Sequence, residues 1–258
     1  MQAHCARSIR SGWKRAVPSI IVLLLSSALH AEETCPVEIK LLLLPSTIKS
    51  VMASMSFGKQ TTSEIYFFDT DNLSLLNQGV IVRVRQGAKN DLTVKVRLPK
   101  GNNQIESSKL REHFGCEVDR TEAGANTSYS VGQRYKDRLV PEAGGDLFRA
   151  LSSRQRQLLG EAHVSIVWSQ VRRMSGIRST TWETPFESPF RKLTLEYWEF
   201  PEGSILELSA RSSASEWELK SADLQRLAKL KGLSLSANQE TKTSTVLRGL
   251  KRDASPPE

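Results

Sequence analysis

Eight charged residues sit in pairs two apart: Glu38 and Lys40, Arg83 and Arg85, Lys95 and Arg97, Glu117 and Asp119. That spacing puts both members of a pair on one face of a β-strand. Cations so placed can grip phosphate oxygens, the arginines bidentately. Carboxylates so placed can hold a hard divalent cation such as Mg²⁺ or Mn²⁺, which itself bridges phosphates. A single pair of this kind is the ordinary solvated face of an antiparallel sheet. Four pairs of both signs, each with an apolar residue between its members, point to more: if the sheet curls so that these faces converge, it encloses a charged cavity suited to a polyphosphate.

Period-two alternation supplies the strands. Residues 37–44 form one that stops at Pro45, where Ser46 is expected to cap a short helix reaching Met55. Residues 65–68 form a buried strand, followed by capping oxygens at Asp69, Thr70, Asp71 and Asn72, and by Gly79 where a left-handed residue is wanted. Residues 80–85 and 92–98 make a hairpin with one apolar and one basic face. A third segment, 109–120, carries Glu117 and Asp119; 121–145 reads as a long polar loop. Residues 146–159 read as a helix with Leu147, Phe148, Leu151, Leu158 and Leu159 as its buried stripe. Further strands are expected at 163–173, 177–183, 191–200 and 204–211, then an amphipathic helix at 216–230 carrying Leu219, Leu224, Leu227 and Leu230. The pattern predicts an α+β fold, an antiparallel β-barrel or tunnel of about eight strands with flanking helices.

The chain has 258 residues and a formal net charge of +8. Part of that excess lies in residues 1–31, where Arg7, Arg10, Lys14 and Arg15 precede a short apolar run and small residues at Ser26, Ser27 and Ala28. This reads as a signal peptide cut after Ala28 or Ala31, with an uncleaved anchor as the alternative, and predicts a secreted or periplasmic protein. Removing four cations leaves +4, with no basic cluster of the kind a nucleic-acid surface needs. No nucleic-acid partner and no stable membrane insertion after cleavage are expected. Trp168, Trp182, Trp198 and Trp217 are read as core or barrel-wall aromatics. Past residue 31 only His113 and His163 remain, too few for a His-rich metal site. Cys35 and Cys116 would share an oxidising compartment, where they either pair or stay as two thiols.

The run Tyr66-Phe67-Phe68-Asp69-Thr70, the segment from Asp71 through Gly79 to Arg83-Val84-Arg85, and Leu92-Thr93-Val94-Lys95 resemble the CYTH domain, the triphosphate tunnel metalloenzyme superfamily named for class IV adenylyl cyclases and thiamine triphosphatases. The resemblance runs from about Val37 to Leu250, and its specific part from Tyr66 to Lys95. It implies a first strand at 37–40, an acidic strand at 111–119, a mid-chain helix at 146–159 and a late Ser-Lys element at Thr241-Lys242-Thr243. It implies phosphate binding by Lys40, Arg83, Arg85, Lys95 and Arg97, and Mg or Mn held by Glu38, Glu117, Asp119, Glu196 and Glu207. Two positions depart from the family pattern: Pro36 and Ser209 stand where carboxylates are usual. The expected function is therefore metal-dependent hydrolysis of a small triphosphate or polyphosphate, with a non-catalytic polyanion binder as the alternative. Residues 32–250 form the expected domain, and 251–258 a disordered tail.

Overall fold

The computed structural model describes residues 35–98, 107–137, 141, 144–185 and 189–252. The expected signal peptide and residues 253–258 of the expected tail lie outside them. Alternation becomes a ring of nine strands: β1 (Val37–Leu43), β2 (Gln60–Asp69), β3 (Val80–Gly87), β4 (Asp91–Arg97), β5 (Gly115–Thr121), β6 (Gly124–Arg134), β8 (Ile177–Glu183), β9 (Leu193–Phe200) and β10 (Gly203–Ser212). A two-residue strand, β7 (Arg172–Arg173), adds to β2. Around the ring the order is β3, β4, β6, β5, β1, β10, β9, β8, β2, and β2 pairs again with β3, so the barrel is closed.

An odd number of strands cannot alternate direction all the way round. One neighbouring pair must run parallel, and it is β1 with β5. This seam is short: Val37, Glu38 and Ile39 face Val118, Asp119 and Arg120, whereas β1 pairs with β10 along its whole length. The Cys35 and Cys116 sulfurs are in bonding contact at its end, with Cα atoms 5.3 Å apart.

The helices cover the outside. Val82, Val84, Leu92, Val94 and Tyr129 on β3, β4 and β6 pack under α3 (Ser107–His113), α4 (Gly144–Ala150) and α5 (Ser153–Glu161). Val37, Ile39, Leu41, Leu195, Leu206 and Leu208 pack under α1 (Ile48–Ser54) and α6 (Trp217–Leu230). A third cluster joins Leu42, Phe67, Ile81, Trp198 and Ile205 to Val246, Leu247 and Leu250 of α7 (Lys242–Arg252). Burying three such side chains contributes about 1.5–3 kcal/mol each, which fixes α7 against the barrel. None of the described helices is long and apolar enough to cross a membrane.

Between β2 and β3, Asp69 is buried and its carboxylate accepts the backbone N–H groups of Thr70, Leu75 and Leu76 at 2.7, 2.9 and 2.9 Å. The Leu75 and Leu76 groups are orphan donors of α2 (Ser74–Asn77), and Thr70 belongs to the turn before it. Gly79 follows with φ +77°, and a Cβ there would lie 2.3 Å from the Arg97 carbonyl oxygen. The cap and the glycine together turn the chain back into β3.

The expected α+β barrel itself is present, with nine strands that are antiparallel except at the β1–β5 seam. Several expectations are corrected. Residues 124–134, inside the expected 121–145 loop, form β6, with Tyr129 and Val131 on the outer core and Ser128 and Ser130 at the alternate positions. The acidic strand begins only at Gly115, because Leu110 and Phe114, four apart, dock the preceding helical turn on the outer core. Residues 163–173 lie over that core through Val164, Ile166 and Trp168 and form strand only at β7. The mid-chain helix is two, broken at Ser152, which caps α5 in a reciprocal box with Gln155; Phe148 is exposed. On α6, Leu219 and Leu230 are exposed, and the buried stripe is Leu224, Leu227 and Ala228. Ser46 lies within a 3-10 turn and caps nothing. Helix α7 takes the start of the expected tail to Arg252.

The seam yields a prediction. The bridge closes a sequence separation of 81 residues at the barrel's shortest joint. Replacing both cysteines, Cys35→Ser with Cys116→Ser, should lower stability by about 2–4 kcal/mol in urea titrations. Amide exchange should rise first at Val37–Ile39; equal urea midpoints for the two proteins would show that the seam holds without the bond.

Candidate functional site

Because the apolar members of β1, β3, β4, β9 and β10 are claimed by the outer cores, strand parity turns their partners inward. Glu38 and Lys40, Arg83, Lys95 and Arg97, Glu117 and Asp119, Glu196, and Glu207 with Ser209 all line one cavity of about 250 Å³. Thr93, Ser130, Thr194, Phe67, Ile81, Trp198 and Thr241-Lys242-Thr243 complete the wall. Phe67, Ile81 and Trp198 also pack on α7, so this helix closes the cavity at its apolar end.

Of the ten candidate phosphate and metal residues, nine line the cavity and Arg85 does not. Arg85 faces Asp91 across the hairpin, and its Nε donates to Asp91 Oδ2 at 3.1 Å. Arg85 is thus engaged with Asp91 and outside the cavity lining, whereas Arg83, with Asp91 at 4.0 Å, is part of it. The sequence reading placed Lys242 only within a family element, yet its ammonium is central here. Its sole sequence signal is a lysine between two threonines at a helix start.

The charges form two paired groups. Across β9 and β10, Glu196 lies directly opposite Glu207, a repulsive placement by itself. Lys242 bridges them, its Nζ 2.7 Å from Glu207 Oε1 and in contact with Glu196 Oε2, and it lies 4.8 Å from the Trp198 ring centroid. Trp198 Nε1 and Ser179 Oγ donate to Glu196 at 2.6 and 2.8 Å. Burial pushes the Glu196 carboxyl up, but Lys242 and these donors outweigh it and hold it at about 2. Burial lowers the Lys242 ammonium and the two glutamates more than restore it, leaving it raised.

The second group spans the parallel seam, where Glu38 faces Asp119. Lys40 Nζ lies 2.7 Å from Asp119 and 2.9 Å from Glu38; Lys95 Nζ lies 3.3 Å from both Glu117 and Asp119. Burial raises the Asp119 carboxyl, but Lys40, Lys95 and Arg97 override it and hold it well below the usual carboxylate range. Burial lowers Lys40 too, and Glu207, Asp119 and Glu38 reverse this, so its ammonium is held well above the usual value. The arginines are less well partnered. Buried Nε atoms of Arg83 and Arg97 have no hydrogen-bond partner, and burial lowers both guanidinium values.

Glu38, Glu117 and Asp119 each offer an oxygen within 4.8 Å of the others. Three converging carboxylates fit a hard divalent cation that takes oxygen ligands. Glu196 and Glu207 stand apart from that group, committed to Lys242.

No family model and no curated protein matches this sequence. Solved structures do match. A Hippeastrum protein assigned as an adenylyl cyclase with a dominant triphosphatase activity aligns at TM-score 0.57 and 19% identity, over 82% of this chain and 95% of that one. A Bacillus halodurans protein assigned as an adenylate cyclase aligns at TM-score 0.54 and 16% identity, over 82% and 96%. The chain has the CYTH-like tunnel fold.

In this CYTH-like tunnel the Lys242 bridge is testable through pH. In the wild type Glu196 is held at about 2, below an ordinary carboxyl. Its stabilisation is therefore complete above the ordinary value and lost as pH falls toward 2. In Lys242→Met, burial acts on Glu196 and Glu207 without the compensating cation, so their ionised forms oppose folding at neutral pH. The variant should lose about 3–5 kcal/mol at pH 7, with the gap from wild type narrowing at pH 5. A gap independent of pH would show that the carboxylates do not depend on Lys242.

Proposed function

We propose that this chain is an exported CYTH-like protein that binds a small triphosphate or polyphosphate in its tunnel and hydrolyses it with Mg²⁺ or Mn²⁺. The observation that carries the reading is the lining itself. Lys40, Arg83, Lys95, Arg97 and Lys242 face Glu38, Glu117, Asp119, Glu196 and Glu207 in one cavity, five cations against five carboxylates. Such a cavity is neutral overall, and a bare polyanion would unbalance it. Glu38, Glu117 and Asp119 would hold a divalent cation that accompanies the polyanion, which lessens the imbalance and would free Lys40 and Lys95 for the phosphates. When bound there, the ion would supply Lewis-acid polarisation and neutralise charge.

The protein's own part is positioning. Arg83 and Arg97 present buried N–H groups lacking partners, which phosphate oxygens would satisfy through charge-assisted bonds. Lys95, beside Arg97 on β4, and Lys40 on β1 would take further phosphate oxygens. Phosphoryl transfer needs little more than such placement and charge stabilisation. The leader-like residues 1–31 and the Cys35–Cys116 bridge support export to an oxidising compartment.

A second reading, a non-catalytic polyanion binder, is favoured by Ser209. It occupies the wall where a carboxylate is usual, and its hydroxyl donates to Glu38 at 3.4 Å. Calorimetry with tripolyphosphate and a phosphate-release assay, in Mg²⁺ or Mn²⁺ against EDTA, separate the two. Hydrolysis should require the metal. Arg83→Ala should weaken tripolyphosphate binding by about 1.5–3 kcal/mol, whereas Arg85→Ala, already partnered by Asp91, should cost less than about 1 kcal/mol. Binding without turnover would leave the binder reading, and absence of binding would refute both.

A further inference from the structure

A second cavity, of about 470 Å³, adjoins the tunnel. Ile81, Arg97 and Thr241 line both, so these three residues form the partition between them. Arg97 is the charged member of that partition, its Nη2 3.8 Å from Asp119 Oδ2. Arg97 Nη1 donates to Thr241 Oγ1 at 3.2 Å and to Ser244 Oγ at 3.4 Å, while its buried Nε has no partner. Beyond it the wall carries Arg248, Glu240, Thr121, Ser244, Asn77 and Asn126 as polar groups. Arg248 projects from α7 and pairs at 2.8 Å with Glu240, both half-exposed.

The composition of that wall decides what it suits. Its lining includes no aromatic side chain, so a nucleobase or another flat ring would find no face to stack on. Guanidinium, hydroxyl and amide groups are instead the donors that phosphate oxygens take. Small residues, Gly79, Ala123, Gly124 and Ala125, keep the passage wide.

We propose that the outer cavity is a second anion subsite, which takes the part of a linear inorganic polyphosphate extending past Arg97. This rests on the tunnel reading above and names its substrate class. Arg97 then serves both subsites, giving its free Nε–H to the phosphate that crosses the partition. Arg248 leaves Glu240 for phosphate oxygens farther along.

The test is titration of the oxidised protein with tripolyphosphate, a size-fractionated longer linear polyphosphate, and ATP, at one ionic strength. A longer chain offers more binding registers and gains affinity from that alone, so the deciding quantity is the affinity ratio of long chain to tripolyphosphate, compared between wild type and Arg248→Ala. Arg248 is outside the tunnel lining, so tripolyphosphate affinity should stay the same in the variant. The ratio should fall about tenfold, the loss of one charge-assisted contact, and further in Arg248→Glu. An unchanged ratio overturns the subsite while leaving the tunnel reading intact. ATP binding as tightly as the long chain also overturns it, since the base would then be housed. Failure of tripolyphosphate to bind the wild type removes the tunnel reading and the subsite together.

Discussion

The structure depends on one constraint: ten ionised side chains lie inside a closed barrel, and each must find an opposite charge there. Removing a carboxylate or an ammonium from water costs several kcal/mol that only well-placed partners offset. The alternation of charges along the strands is therefore more than a device for ligand binding. It makes the apo interior possible. Lys242 between Glu196 and Glu207, and Lys40 and Lys95 among Glu38, Glu117 and Asp119, are arrangements in which no carboxylate is left alone.

That interior dictates the exterior. A barrel whose inner face is polar cannot form its hydrophobic core within, except at one end. The apolar residues of β1, β3, β4, β6, β9 and β10 point outward instead and need a cover, which the helices of the two outer clusters supply. The one apolar end inside is covered by α7, whose first residue is Lys242. The same helix thus closes the barrel with its leucines and neutralises a carboxylate pair with its lysine. The parallel seam is the other consequence of closure, and it brings Glu38 opposite Asp119. The carboxylate group on that wall is a product of the strand number as much as of the sequence.

What could be read from the sequence follows the same logic. The pairs at 38/40, 83/85, 95/97 and 117/119 announced an inward charged face because apolar residues alternate with them, and the Asp69 cap and Gly79 turn were visible as local chemistry. Strand β6 was not, because Asn126, Ser128 and Ser130 look like loop residues until a polar interior is known to claim the serines. Arg85 shares the parity of Arg83, and nothing along β3 tells them apart; the register sets Asp91 directly opposite Arg85, which it hydrogen-bonds, while Arg83 reaches it only at 4.0 Å. The roles of Lys242 and α7 depend on contacts with β2, β9 and β10, which no local pattern encodes. Leu219 and Leu230 fit a helical stripe by spacing, but α6 presents only the stripe through Leu224 and Leu227 to the sheet.

An interior already paired changes how ligand affinity must be understood. A phosphate reaching Lys40 or Lys95 does not meet a bare cation. It replaces a carboxylate at 2.7–3.3 Å, so the gain is the difference between two ion pairs. Binding of a polyanion alone is therefore weakened by the carboxylates it strands in a low-dielectric cavity. A divalent cation arriving with it would lessen that penalty, because Glu38, Glu117 and Asp119 would hold the cation. Anion and cation should then bind cooperatively without any change of shape, through charge balance alone. The guanidiniums of Arg83 and Arg97, whose Nε–H groups have no acceptor, are where a ligand adds hydrogen bonds without displacing a partner. Selectivity should accordingly be set at the arginines, and the lysines set which charge the tunnel accepts.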